Sequence, residues 1–144
     1  MTINTRQATA GDTDAIALLF DAYRQFYQQT PDLDLARSFI AERLEKNQSV
    51  IFVAEDQHGM LGFCQLYPTF CSVEAAPIFT LYDLFVTDAA RKSGAGRQLM
   101  LAAETHARAT GARRLDLTTA KDNLRAQSLY ASLAWTRDEV FFTY

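Results

Sequence analysis

The sequence predicts one mixed α/β domain, with a mainly antiparallel central sheet of six to seven strands flanked by about four helices. Three observations predict it. β-rich runs and helical periodicities alternate in the order β-α-α-β-β-β-α-β-α-β. The middle of the chain reads as a two-strand hairpin, which makes the front half antiparallel. A strand-helix-strand unit over residues 78–119 then requires a parallel, right-handed crossover. At 144 residues the chain suits a single domain over 1–144, large enough to bury roughly 70% of its unfolded surface. Neither a linker nor an internal repeat interrupts it.

Each element has a local signal. Residues 2–8 alternate as a short strand. Ile16, Leu19, Phe20, Tyr23, Phe26 and Tyr27 then fall at helical spacing, with Asp12 as N-cap and Asp14 favouring the helix start. Pro31 stops this helix. Asp32 or Asp34 opens the next, with Leu35, Phe39, Ile40 and Leu44 on one face. "SVIFVAED" is a buried strand, His58-Gly59 a turn and "MLGFCQLYPTF" the returning strand. "PIFTLYDLFV" is the next strand. The helix from Gly94 to about Thr110 turns Leu99, Met100, Ala103 and Ala107 inward, and Gly111 ends it. "RRLDLTT" is a strand, Asn123–Leu133 a helix and "EVFFTY" a final strand.

Composition narrows the function classes. The net charge of −3 argues against general nucleic-acid binding. No apolar run approaches the ~20 residues of a membrane helix, and "MTINTRQATAGD" has no secretory pattern, so a cytoplasmic protein is expected. Cys64 and Cys71 fall on opposite faces of one predicted strand and should stay unpaired. His58 and His106 have no partners at metal-ligand spacing, so no metal site is expected. Residues 1–90 carry a net −7 and residues 91–125 a net +5. Positive charge gathered in one segment of an acidic chain suits an anionic ligand there, or is an ordinary basic helix surface.

The centre of that basic segment is "DAARKSGAGRQLM", from Asp88 to Met100. It lacks the third glycine of a dinucleotide fingerprint and the lysine of a Walker loop. One reading remains chemical. Backbone N–H groups at a helix start can face a pyrophosphate. Gly94 and Gly96 would leave the approach clear, and Arg91, Lys92 and Arg97 would add charge. The other reading is a tight strand-to-helix turn.

A second motif joins the first. "NLRAQSLYASLAW" sets Asn123, Ala126, Leu129 and Tyr130 in the pattern N-x-x-A-x-x-L-Y, following R-x-x-G-x-G at Arg91 to Gly96. Together and in this order, the two motifs resemble the GCN5-related N-acetyltransferase (GNAT) superfamily. Within it the chain looks most like small-molecule enzymes of the diamine and amino-acid type. The resemblance implies that fold, acetyl-CoA as cosubstrate and transfer of its acetyl group to a primary amine by direct attack in a ternary complex. It also implies a pyrophosphate loop of Arg91, Lys92, Ser93, Gly94, Ala95, Gly96 and Arg97, with Asn123 and Ala126 at the cofactor. In the family the central strand carries a bulge whose free N–H groups serve the acetyl carbonyl and the pantetheine arm; carried over, these are Leu84, Phe85 and Val86. The strand 114–119 would splay away to admit that arm.

Tyr130 matches the family's general acid; without the motif it would read as a core tyrosine. Asn123 binds the cofactor, caps its helix, or does both. Asp83 is the carboxylate candidate for catalysis, acting through water, or is a structural group held by hydrogen bonds. Polyamine enzymes of this kind carry a glutamate just before that aspartate, where this chain has Tyr82. A second substrate-binding glutamate position corresponds to Tyr27. Losing both removes negative charge from the acceptor side and speaks against a polycationic amine. The aromatic residues Tyr23, Phe26, Tyr27, Phe63, Tyr67, Phe70 and Tyr82 would favour an acceptor with an apolar part, or a cation held over rings. Lys92-Ser93 and Ala134-Trp135 depart from the family's usual glycines, and Ala134 would be strained if its φ is positive. The rival classes are a non-catalytic acyl-CoA-binding module and a protein N-acetyltransferase. The apolar final strand, at a sheet edge, suggests a homodimer.

Overall fold

The computed structural model describes residues 2–144 and forms three layers around one sheet. Strand β1 (Asn4–Gln7) precedes helices α1 (Thr13–Phe26) and α2 (Leu33–Glu45). Strands β2 (Val50–Asp56), β3 (Gly59–Cys71) and β4 (Ala76–Val86) follow. Helix α3 (Ala95–Ala109), strand β5 (Leu115–Asp116) and helix α4 (Leu124–Ser132) complete the order. The sheet runs β1-β2-β3-β4-β5, antiparallel except for the parallel β4–β5 pair. The expected hairpin and crossover are therefore both present.

Among the described residues the sheet has five strands, which corrects the expected six to seven. "EVFFTY" forms no strand among the described residues, and Phe141 and Phe142 stand exposed. β-propensity needs a ladder partner, and β5, the edge where such a strand would pair, ends at Asp116. Of "RRLDLTT", the first half joins β4, through Phe79↔Leu115, Thr80↔Asp116 and the backbone bonds of Arg113 to Pro77 and of Phe79 to Arg114, while Leu117–Thr119 have no ladder partner among the described residues. With the strand goes the edge on which the dimer expectation rested.

Two apolar clusters sandwich the sheet. On one face Ile16, Ala17, Leu19 and Phe20 of α1 and Ala36 and Ile40 of α2 cover Ile51, Val53 and Phe63. On the other, Leu99, Met100 and Ala103 of α3 cover Ala54, Cys64, Leu66 and Leu81, with Leu129 and Tyr130 of α4 at the margin. The inward set expected for α3 is buried throughout. Of the set expected on α2, Ile40 is buried and Phe39 and Leu44 pack against the core, but Leu35 is exposed and Ala36 takes its place, because 100° per residue turns Leu35 off the packed face. Asp12 does not cap α1 with its side chain. Its carboxylate takes two 2.8 Å bonds from Arg6, which also reaches Glu55. This clamp ties the start of α1 to β1 and β2. Cys64 and Cys71 are free.

β3 and β4 pair in register until Gln65↔Asp83, after which Leu66 faces Leu81. Tyr82 is the extra residue, a β-bulge. The bulge lies two residues upstream of the Leu84–Val86 segment for which it was expected. Past it, β4 keeps its ladder with β3 through Val86↔Gly62 but, among the described residues, has no partner on its other side. That opening positions the site.

Candidate acetyl-transfer site

A cavity of about 370 Å³ fills the gap between β4 and the chain beyond β5, within the usual range for a small-ligand site. Leu81, Tyr82, Leu84, Phe85 and Val86 form one wall and Leu117, Thr118 and Thr119 the other. The start of α3 lines one end and the end of α1 the other; α4 reaches both, with Leu129 against Gly96 and Tyr130 near Tyr27.

The glycine loop is built for its turn. Val86 leads through a 3-10 turn at Asp88–Ala90 to Lys92, whose φ is +66°, and then to Gly94, whose φ is +93°. Two left-handed residues let the chain reverse into α3 within a few positions. Lysine takes the first of them, where the family's usual glycine would be free of strain. Arg91 braces the loop: its Nε donates to the Val86 carbonyl at 3.2 Å and its guanidinium meets Asp88 at 2.7 Å. Ser93 Oγ accepts from the Ala95 N–H at 3.3 Å, so this side chain caps the helix and does not line the cavity. The first α3 bond runs from the Gln98 N–H to the Gly94 carbonyl, so the N–H groups of Gly96 and Arg97 have no intrahelical acceptor. A Cβ on Gly96 would stand 3.6 Å from Leu129 and 3.8 Å from Val86. Gly96 therefore marks the floor where α3, α4 and β4 converge.

Charge follows the same plan. Arg91, Lys92, Arg97 and Arg125 line the cavity, and among the described residues no aspartate or glutamate does. With the helix start added, this end favours an anion. The sequence motif omitted Arg125, which lines the same cavity from the first turn of α4.

Asn123 caps α4, its Oδ1 accepting from the Ala126 N–H at 3.2 Å, and both residues line the cavity. Tyr130 lies one turn beyond Ala126 on the same face of α4, lines the cavity and packs on Trp135. Burial raises its phenol pKa, and the nearby Tyr27 adds to the effect; the Thr119 side chain pulls weakly the other way. Tyr130 therefore holds its proton across the neutral range. The structure brings Tyr27 and Tyr82 to the same end of the cavity, together with Tyr23 and Phe26.

Asp83 stands apart. It is 4% exposed, does not line the cavity, and accepts from Gln65 Nε2 at 2.6 Å. Gln65 in turn accepts from Ser49. Burial raises the Asp83 pKa, and the hydrogen bond from Gln65 and the nearby Tyr23 hydroxyl offset part of that rise. The single proton of the Tyr23 hydroxyl is directed to the Tyr82 carbonyl at 3.3 Å, beside Asp83. These groups straddle the bulge and hold its shape. Gly62, Leu117 and Thr118, none of them in either motif, complete the walls or support them.

The model of the Acetyltransferase (GNAT) family matches residues 14–135. The chain belongs to the GNAT acetyltransferase family. A relative in Bacillus subtilis (strain 168), "Uncharacterized N-acetyltransferase YhfO", is 46% identical over 142 residues, 99% of this chain and 95% of that protein. A solved structure described as "a probable acetyltransferase" superposes with a TM-score of 0.90 at 36% identity, covering 100% of this chain and 95% of that one. An aminoglycoside N-acetyltransferase, AAC(6')-Iy, in complex with CoA shares the fold, with a TM-score of 0.84 at 18% identity over 99% of this chain and 93% of that one. This GNAT chain is thus an N-acetyltransferase, of a family that uses acetyl-CoA. The cavity suits that cosubstrate: glycine leaves room at the helix start, cations surround it, and the gap beside β4 is open. Among the described residues no helix is long and apolar enough to cross a membrane.

Proposed function

We propose that the chain transfers the acetyl group of acetyl-CoA to the primary amine of a small molecule, the amine attacking directly while both substrates are bound. The observation that carries this reading is the continuity of one cavity, from the cationic start of α3, past the unpaired edge of β4, to the Tyr130 hydroxyl end. Acetyl-CoA, when bound, supplies a thioester as the activated acetyl donor. The Gly96 and Arg97 N–H groups hold its pyrophosphate, with Arg91, Lys92 and Arg97 supplying charge. Asn123 and Ala126 flank it. The backbone of Leu84, Phe85 and Val86 orients the pantetheine arm and offers donors to the acetyl carbonyl. Tyr130 Oη gives its proton to the departing sulfur and regains one, through water, from the amine nitrogen, which sheds a proton as the amide forms.

Asp83 serves this scheme by holding the Tyr82 bulge, since its carboxylate is turned to Gln65 and away from the cavity. The acceptor then reacts from its neutral fraction. Holding the two substrates together supplies much of the rate. Free Cys64 and Cys71 accord with a cytoplasmic home, and the exposed Val140–Tyr144 segment gives a homodimer an apolar surface.

Thiol release and mass detection of the N-acetylated amine test the proposal together. Release that requires both acetyl-CoA and an amine, with a product 42 Da heavier (roughly one acetyl group in place of a hydrogen), is expected. Acetyl-CoA binding with no amine-dependent release leaves only a binding module. Acetylation confined to protein substrates overturns the small-molecule assignment.

A further inference from the structure

We infer that the acceptor is a monoamine with an aromatic or other apolar body, and that polyamines and aminoglycosides are poor acceptors. The inference rests on the acetyl-transfer reading and narrows its substrate. At the Tyr130 end, the cavity is lined by Tyr23, Phe26, Tyr27 and Tyr82. The rings are arranged edge to face, with centroids 5.2 Å apart for Tyr23–Tyr27 and for Phe26–Tyr27. Tyr27 is 45% exposed and Tyr82, which packs on Tyr67, is 66% exposed, so both keep apolar surface open to an incoming body. Large apolar faces left open beside a reactive end are a binding surface.

Charge decides between the amine classes. A polycation needs a carboxylate for each ammonium it brings out of water. None lines this cavity among the described residues, and every charged group that does is a cation. The nearby Asp83 is buried against Gln65, where it cannot meet a second ammonium. A single amine fares differently. The ring faces attract its ammonium on entry, and the apolar surroundings then favour the neutral form that attacks. An aromatic body gains stacking on Tyr27 and Tyr82.

The test is thiol release at saturating acetyl-CoA with 2-phenylethylamine, spermidine and kanamycin, run beside a titration of acetyl-CoA. We expect kcat/KM for 2-phenylethylamine to exceed the other two by about tenfold or more. Tyr27→Ala and Tyr82→Ala, both at exposed positions that leave the core intact, should each raise its KM by about fivefold with a smaller change in kcat. Spermidine or kanamycin turning over as well as 2-phenylethylamine, no turnover of 2-phenylethylamine, or an unchanged KM in both variants overturns the inference. If acetyl-CoA binds and a polycation is acetylated, only the acceptor class falls. If acetyl-CoA does not bind, the acetyl-transfer reading falls with it.

Discussion

Gly62 carries the least forgiving contact in the site's framework. It pairs with Val86, and a Cβ there would stand 2.5 Å from the Phe85 carbonyl oxygen and 3.2 Å from the Val86 Cα. An ordinary contact needs about 3.5 Å, so Gly62→Ala must part β3 from the end of β4 by about 1 Å. The obstructing atoms are backbone, so no side-chain rotation relieves them. Overpacking of this kind costs about 1–3 kcal/mol, or about 4–12 °C in Tm for a chain of this size. The residues pushed aside, Phe85 and Val86, are cavity wall, so acetyl-CoA affinity should fall about tenfold as well. Gly59→Ala is the control. Gly59 has a φ of +132° but open space around it, in a hairpin turn remote from the cavity. It should cost about 1 kcal/mol and leave affinity unchanged. Thermal unfolding by circular dichroism and calorimetric titration read both effects. Gly62→Ala with wild-type Tm and wild-type affinity would refute the reasoning.

Three further outcomes follow from the same geometry. Tyr130→Phe should lower kcat by about 10²–10⁴-fold while acetyl-CoA affinity holds; an unchanged kcat takes Tyr130 out of proton transfer. Burial raises the Asp83 pKa above its unfolded value, so its contribution to stability is fullest below the unfolded pKa and is lost as pH rises through the folded one. The Tm of Asp83→Asn relative to wild type should therefore be higher at about pH 8 than at about pH 4; a difference independent of pH contradicts the burial argument. Ala134 has a φ of +65° just past α4, so Ala134→Gly should stabilise by about 0.5–1 kcal/mol in urea unfolding, and a loss of stability counts against strain there.

The sequence carried the framework because each of its signals is local. The periodicity of α1 and α3, the α4 cap at Asn123 and the loop glycines all act within a turn or two of chain. Both motifs, separated in sequence, line one cavity in the structure. What escaped depends on pairing across the sheet. The bulge at Tyr82 is visible only as a shift between Gln65 and Leu66 on another strand. Whether β5 extends to Thr119 depends on how far β4 stays beside it, and "EVFFTY" has strand composition but no paired edge to join. The environment of Asp83 was equally hidden, since Gln65 and Ser49 are distant in sequence. Gly62 looked like any strand glycine until Phe85 lay against it. Arg125 sat beside the motif, but only the first turn of α4 shows that it lines the same cavity.

The central claim is that the start of α3 holds the pyrophosphate of acetyl-CoA. Calorimetric titration of acetyl-CoA into the wild type and Gly96→Glu tests it most directly. A Cβ at Gly96 meets only ordinary contacts at 3.6 and 3.8 Å, so the variant has room to fold while its carboxylate enters the anion site. Saturable one-to-one binding is expected for the wild type, with a loss of about a hundredfold or more in the variant. Equal affinity in both proteins, or no binding by the wild type, would contradict it.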